Sequence, residues 1–371
     1  MERIDGTAES GSRTRMSSEL IEPDRLPHAA HPRAMARLFG HATQEQAFLD
    51  ALASGRMHHG WLLTGDEGIG KASFAYRVAR FMLAHADPQS AARSVTSLDV
   101  SPEHPVARKI MAQSHPDLHV LRRIIRPDGK TISANIPVDS VRRIIELFGS
   151  SAAAGGWRIC IVDSTVDLDR AGANALLKLL EEPPRNCLFL IVAPAIGQVL
   201  PTIRSRCRKL AFGPLTPNEI VQASEAALAA ANTPFDHKAL AASACLAAGS
   251  VRRALNAVDP ETIALIRAVT ARLDGLPAID ATSLLALAED TAGKAGADDF
   301  AVMIDTVQAW LGAQVATRAA EPAARLAPLA EVWESLETAV REAASYNLDR
   351  RPLVITLFRD LAEAVRQSRG G

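Results

Sequence analysis

Asn174-Ala-Leu-Leu-Lys-Leu-Leu-Glu-Glu-Pro-Pro184, followed downstream by Ser205-Arg206-Cys207, is the stretch on which the reading of this chain turns. On a helix of 3.6 residues per turn, Leu176, Leu177, Leu179 and Leu180 cover one broad apolar side, and Lys178 and Glu181 stay at its polar edge. Pro183 and Pro184 stop it. The first proline disfavours helical geometry at the residue before it, and neither donates the next backbone bond. By itself the amphipathic pattern states only that one face is buried.

Upstream, Trp61-Leu62-Leu63-Thr64 is a short apolar run. Gly65-Asp66-Glu67-Gly68-Ile69-Gly70-Lys71-Ala72 follows, then an apolar helix through Phe74, Val78, Phe81 and Met82. In a strand, glycine loop and helix, backbone N–H groups turn around phosphate oxygens at the helix N-terminus. Gly65, Gly68 and Gly70 permit the turn, and Lys71 reaches for the terminal phosphates. The plainer alternative is a strand-to-helix turn without a ligand. A complete loop carries Ser or Thr after the lysine, whose hydroxyl holds magnesium. Here that residue is Ala72, and Ser73 is rotated about 100° further round the helix. Arg158-Ile159-Cys160-Ile161-Val162-Asp163 reads as a buried parallel strand ending in a carboxylate, the usual magnesium-side acid.

The literal strings Asn174–Pro184 and Ser205-Arg206-Cys207 resemble the signature of bacterial clamp-loader subunits of the AAA+ class. The resemblance covers roughly residues 32 to 371. His31 to Phe48, His58-His59-Gly60-Trp61, His115-Pro116-Asp117-Leu118, Ile136-Pro137-Val138-Asp139 and Asn347-Leu348 fall in the family's order. It implies an α/β AAA+ P-loop domain with a parallel sheet, then a small helical lid domain and an all-α collar domain. It also implies that Arg206, expected to follow a strand, is presented to the ATP of a neighbouring subunit. The plainer reading of Arg206 is a salt bridge within its own domain. Gly249-Ser250-Val251-Arg252-Arg253-Ala254-Leu255 resembles the family's second sensor, with Arg252 contacting nucleotide from the lid, against a solvated helix-start arginine.

Set against active members of that family, the hydrolysis residues are eroded. Counting back from Asn174, Ser164 stands where they carry a water-activating glutamate, and a neutral hydroxyl takes no proton from water at pH 7. Asp167 and Asp169 read as solvated or capping loop acids. Leu188-Phe189-Leu190-Ile191-Val192 leads to Ala193 and Pro194, whose side chains form no hydrogen bond, where the family has a polar sensor. This combination resembles the family's stationary, hydrolysis-deficient subunit. That subunit supports ATP-dependent loading of the sliding clamp onto primed DNA within a DNA polymerase holoenzyme. The implied partners are the gamma/tau and delta subunits, with the clamp and DNA met through the complex. No cofactor is required, and at most weak ATP or ADP and magnesium binding remains. An active gamma/tau-type ATPase is the alternative, requiring that Ala72 and Ser164 be tolerated. A nucleotide-gated interaction module is a third reading and leaves Ser205-Arg206-Cys207 unexplained. The insertion between the first helix and His115 carries four zinc-binding cysteines in the family. Residues 84–114 contain none, and His85, His104, His115 and His119 without a thiolate make a poor structural zinc site, so no zinc is expected.

Length and composition agree with this reading. At 371 residues and 48% apolar, the chain has room for two or three domains with real cores. A net charge of −1 draws no nucleic acid by a global field, so any DNA contact comes from a local patch in an assembly. Cysteines at 160, 187, 207 and 245 show no close pairing, as expected of reduced, mostly packed thiols in a cytoplasmic protein. Residues 1–31 read as a disordered tail. The longest apolar run, Cys187 to Ile196, is too short to span a bilayer. Residues 32–212 alternate helices with apolar strands. Within them Arg126-Pro127-Asp128-Gly129-Lys130 reads as a turn whose neighbours Arg122 and Arg123 make a basic, solvated edge, or else a DNA or partner contact. Residues 213–259 read as the lid, with a cap at Thr216 or Asn218. Residues 260–371 read as the collar. Pro277, Pro322, Pro328 and Pro352 mark breaks or helix beginnings there, and Asp349 caps the last helix.

Overall fold

Five apolar runs pair into one parallel sheet. In the computed structural model, β1 (Gly60–Thr64), β2 (Leu118–Leu121), β3 (Arg158–Asp163), β4 (Cys187–Ala193) and β5 (Arg208–Ala211) lie in the order β2-β3-β4-β1-β5. The structure describes residues 22, 25–26, 28–126, 132–133, 135–149, 156–194, 196–258, 260–292, 297–346 and 348–370. Every residue of β1 and β4 is buried, because crossover helices cover both faces of a parallel sheet. Side chains alternate between two cores. Trp61, Leu63, Ile159 and Leu190 face one, and Leu62, Cys160, Phe189 and Ile191 the other.

Helices α1 (Ala42–Ala53), α2 (Lys71–Ala84), α3 (Pro88–Ala92) and α4 (Pro105–Met111) fill the first core with Phe48, Phe74, Phe81 and Ile110. Helices α5 (Val138–Gly149), α6 (Arg170–Glu181) and the one-turn α7 (Pro201–Arg204) fill the second with Phe148, Leu176, Leu179 and Ile203. The start of α6 is fixed by Asp169, whose carboxylate accepts the Gly172 N–H at 2.6 Å. It ends before Pro183, and Leu177 is half-buried at the edge of its apolar face.

Three helices follow the sheet: α8 (Pro217–Ala230), α9 (His237–Leu246) and α10 (Val251–Asn256), packed around Leu215, Ile220, Ala244 and Ala254. Thr216, rather than Asn218, caps α8 in a reciprocal box with Glu219. Then come α11 (Pro260–Asp274), α12 (Ala281–Ala292), α13 (Ala297–Thr317), α14 (Ala323–Tyr346) and α15 (Arg350–Gly370). They share a core containing Met303, Val307, Leu311, Leu361 and Phe358. Asp349 accepts the Arg351 N–H at 3.1 Å. Pro328, expected to mark a break, lies inside α14. Near the helix start its missing N–H forfeits a single bond, and buried Leu329 and Leu336 hold the helix through it. Among the described residues no helix is long and apolar enough to cross a membrane.

Two polar segments depart from expectation. Glu22, read as part of a disordered tail, pairs with Arg33 at 2.8 Å and Arg122 at 3.6 Å. Ala29 is buried, and the Ala30 N–H donates to the Ala227 carbonyl at 3.0 Å. Arg122 therefore belongs to a packed charge network and not to a solvated edge, while Arg123 reaches Asp167 at 3.4 Å. Residues 127–130 of the expected turn, residues 1–21 of the expected tail and Asn347 lie outside the described residues.

All four cysteines are free. Cys160 and Cys187 are buried, Cys207 is half-buried and Cys245 is exposed. The four histidines read against a zinc site have local work. His104 caps α4, His115 accepts the Asp117 N–H, His85 bonds the Phe81 carbonyl and His119 packs on Phe148. Among the described residues no group of three or more His, Cys, Asp or Glu is placed to hold a metal ion.

Leu176 is fully buried at the centre of α6, so Leu176→Ala should cost about 2–5 kcal/mol in denaturant unfolding. Thr216→Ala, which removes one cap, should cost about 1 kcal/mol.

Candidate nucleotide site and an outward arginine

The glycine loop leaves the carboxyl end of β1 and enters α2. Gly65, Gly68 and Gly70 have φ of +140°, +74° and +109°, a region that glycine enters without a Cβ penalty. Close approach is the second requirement. A Cβ on Gly68 would stand 2.3 Å from the Arg252 Cβ and 2.4 Å from the Ser250 Oγ, and one on Gly65 would stand 2.4 Å from the Phe212 carbonyl oxygen.

Each loop carbonyl from Gly65 to Ile69 has a partner within the chain. Lys71 Nζ donates to those of Gly65 and Asp66, both at 2.5 Å. Ser250 Oγ donates to Glu67 at 2.7 Å, the Val251 N–H to Gly68 at 3.0 Å, and His41 Nε2 to Ile69 at 2.6 Å. The acceptor is a carbonyl, so the proton of neutral His41 sits on Nε2. Burial lowers the His41 pKa, and its ring stands edge-on to Phe212. Nothing in the sequence pattern marked His41. Ser250 also caps α10 by accepting the Arg253 N–H at 3.3 Å, so one hydroxyl starts the lid helix and fastens it to the loop.

Lys71 is thus folded back into its own loop. Burial lowers its pKa to about 8, against the opposing pull of Glu67, Asp163 and Asp66. A cavity of about 430 Å³ opens beside it, bordered by Gly68, Gly70, Ala72, Asp163 and Arg252. Ser73 borders the same cavity, despite its expected rotation away, because the first turn of α2 faces the opening. The candidate nucleotide residues other than Gly65 therefore meet at one place, and the Gly65 carbonyl accepts from Lys71. The chemistry there is incomplete. Ala72 offers a methyl group, and the Ser164 hydroxyl donates to the Val192 carbonyl at 3.3 Å. Asp305 of α13 lies close to this junction. Burial raises its pKa, the charge of Glu67 adds to that, and Arg252 and Arg253 oppose it.

Arg206 occupies the other end of the sheet. It was expected to follow a strand, but it lies between α7 and β5, because a 3-10 turn (Ile196–Gln198) and α7 intervene after β4. Its Nη1 donates to the Thr202 carbonyl at 3.0 Å and its Nη2 pairs with Glu181 of α6 at 2.9 Å. The side chain is 36% exposed and that of Glu181 48%, so the pair is worth at most about 1 kcal/mol. β1 and β5 are parallel, with Trp61 opposite Arg208 and Thr64 opposite Ala211. Arg206 therefore sits off the amino end of β5 while the glycine loop leaves the carboxyl end of β1. A four-residue strand, about 13 Å, separates them.

This sheet, its glycine loop and the two helical units after it constitute the AAA+ fold class. Residues 40–216 match the family described as "DNA polymerase III, delta subunit". The DNA polymerase III subunit delta' of Haemophilus influenzae is 34% identical over 151 residues, covering 41% of each chain. That of Escherichia coli is 34% identical over 157 residues, covering 42% of each chain. The DNA polymerase III subunit gamma of Buchnera aphidicola subsp. Schizaphis graminum is 26% identical over 228 residues, 62% of this chain and 58% of that one. The matches therefore span about half the length of these relatives. Over this segment the chain is similar to subunits of the DNA polymerase III clamp loader.

Gly68→Ala should undock α10 from the loop, because the new Cβ meets the lid and an alanine pays about 1–2 kcal/mol to hold the left-handed conformation. The expected outcome is at least about tenfold faster amide exchange at Val251. Gly213, with open space around it, serves as the control, and Gly213→Ala should leave that amide protected.

Proposed function

We propose that this chain is a hydrolysis-deficient clamp-loader subunit of the delta-prime type. In this reading it assembles with gamma/tau and delta subunits in the cytoplasm and supports ATP-dependent loading of a sliding clamp onto primed DNA. The observation that carries this reading is the placement of Arg206, half-exposed beyond the amino end of β5 and a full strand length from the chain's own glycine loop. An arginine so placed cannot serve its own loop and is available to a nucleotide held by a neighbour. Its guanidinium stays charged and would stabilise charge developing on the terminal phosphate. The exposed Glu181 pair holds it out while costing little to break.

The chain's own site does not fit a hydrolytic magnesium centre. Ala72 lacks the metal hydroxyl, Ser164 stands where a base is needed, and Ala193 and Pro194 supply no sensor. In the loop, the backbone N–H groups of Gly68 to Ala72 donate to no group among the described residues, and this supports weak residual ATP or ADP binding. No cofactor or zinc is required. The similarity to the gamma subunit of Buchnera aphidicola favours a second reading, an active gamma/tau-type ATPase, in which Ala72 and Ser164 are tolerated.

The isolated chain should hydrolyse ATP no faster than its Lys71→Ala variant, and magnesium-dependent turnover well above that control favours the second reading. In the assembled complex, Arg206→Ala should leave assembly intact but lower DNA- and clamp-stimulated ATP turnover. Removal of an arginine finger costs about 10³–10⁵ in single-site GTPases, and a complex with several sites should lose less. Full turnover in a correctly assembled Arg206→Ala complex refutes the role.

A further inference from the structure

Arg206 follows, by two residues, a helix too short to hold itself. α7 has four residues, and a single turn has no stability of its own. It is anchored on one side by buried Ile203, whose carbonyl accepts the Arg206 N–H at 3.1 Å. On the other side the chain runs back through buried Val199 to Gln198, and there it meets the last helical bundle. Gln198 Nε2 donates to both carboxylate oxygens of Glu337 on α14, each at 2.6 Å. Trp333, one turn earlier on α14, donates its Nε1 to the same carboxylate at 3.1 Å. The Trp333 ring lies against α13, where a Cβ on Gly312 would approach it to 3.4 Å. Among the described residues the buried Gln198 Oε1 has no partner, and the hydrogen bonds of the amide go to Glu337.

We propose that Gln198 and Glu337 are a positioning pair for Arg206, tying the turn that leads into α7 to α14 and so fixing where the guanidinium, just beyond α7, stands relative to the neighbouring subunit. The inference rests on the trans-acting reading of Arg206. The carboxylate is held from the bundle side by Trp333 and from the sheet side by Gln198, and none of the three residues borders the glycine-loop cavity. The pair acts only through geometry, and geometry is what a finger needs, since a misplacement of about 1 Å can cost about 10²-fold in rate. Glu181 holds the guanidinium itself, whereas the Gln198–Glu337 pair holds the turn beneath it.

The test uses the complete assembled complex. Gln198→Glu brings two carboxylates together and should reproduce at least about half, on a logarithmic scale, of the turnover lost by Arg206→Ala, with the KM for ATP unchanged. The reciprocal exchange, Gln198→Glu with Glu337→Gln, restores one amide facing one carboxylate and should restore turnover. In an Arg206→Ala background, Gln198→Glu should cause no further loss. Amide exchange across residues 199–206 of the isolated chain should rise in Gln198→Glu and recover in the exchange variant, which keeps the test independent of assembly. Full turnover in Gln198→Glu alongside an impaired Arg206→Ala overturns the pair's role alone, as does failure of the exchange to rescue. A normal Arg206→Ala complex overturns the trans-acting reading and this inference together.

Discussion

A parallel strand cannot pass directly to its neighbour; the chain must first cross back over the sheet to begin again at the same edge. That constraint separates the two ends of this domain. Every return path ends at the amino edge, and every strand exits at the carboxyl edge. The glycine loop therefore lies at one edge, and the turn before β5, with Arg206, lies at the other. The same crossovers bury β1 and β4 on both faces, so the framework between the two edges is close-packed throughout. The candidate phosphate loop and the arginine proposed to serve a neighbour's phosphate are thus held apart by the sheet.

At the carboxyl edge, backbone hydrogen bonding has been turned into adhesion between domains. A buried carbonyl without a partner costs about 1–3 kcal/mol, and the loop carbonyls from Gly65 to Ile69 find theirs in Lys71, Ser250, Val251 and His41. Two of those partners belong to the lid. The glycines make this closeness possible, since a side chain on Gly68 would occupy the space of Arg252. Phosphate loops and docking cleats thus need the same thing, backbone within touching distance of another group, and this loop meets the second need with its own chain.

The sequence was most legible where periodicity reports burial. The strands β1, β3 and β4 were plain as apolar runs, α6 as an apolar stripe stopped by two prolines, and α8 as a capped start. The candidate nucleotide residues were legible because glycine spacing encodes a turn. What stayed hidden depends on partners distant in the chain. His41 carries no local signal of its bond to Ile69, the polar segment around Glu22 looks like a tail until Arg33 and Arg122 are beside it, and Gln198 meets Glu337 only after the bundle has folded. α7 was concealed by brevity, since four residues fit no periodic template.

The thiols offer a practical handle. Burial pushes the Cys207 pKa up to about 12 and raises those of Cys160 and Cys187 as well, and a thiol that resists ionising is slow to alkylate. Cys245, exposed on α9, stands apart from them. A maleimide dye added to the unmodified protein should therefore label the lid in preference to the sheet, placing a fluorescent reporter on the element clasped to the glycine loop without any cysteine having to be removed.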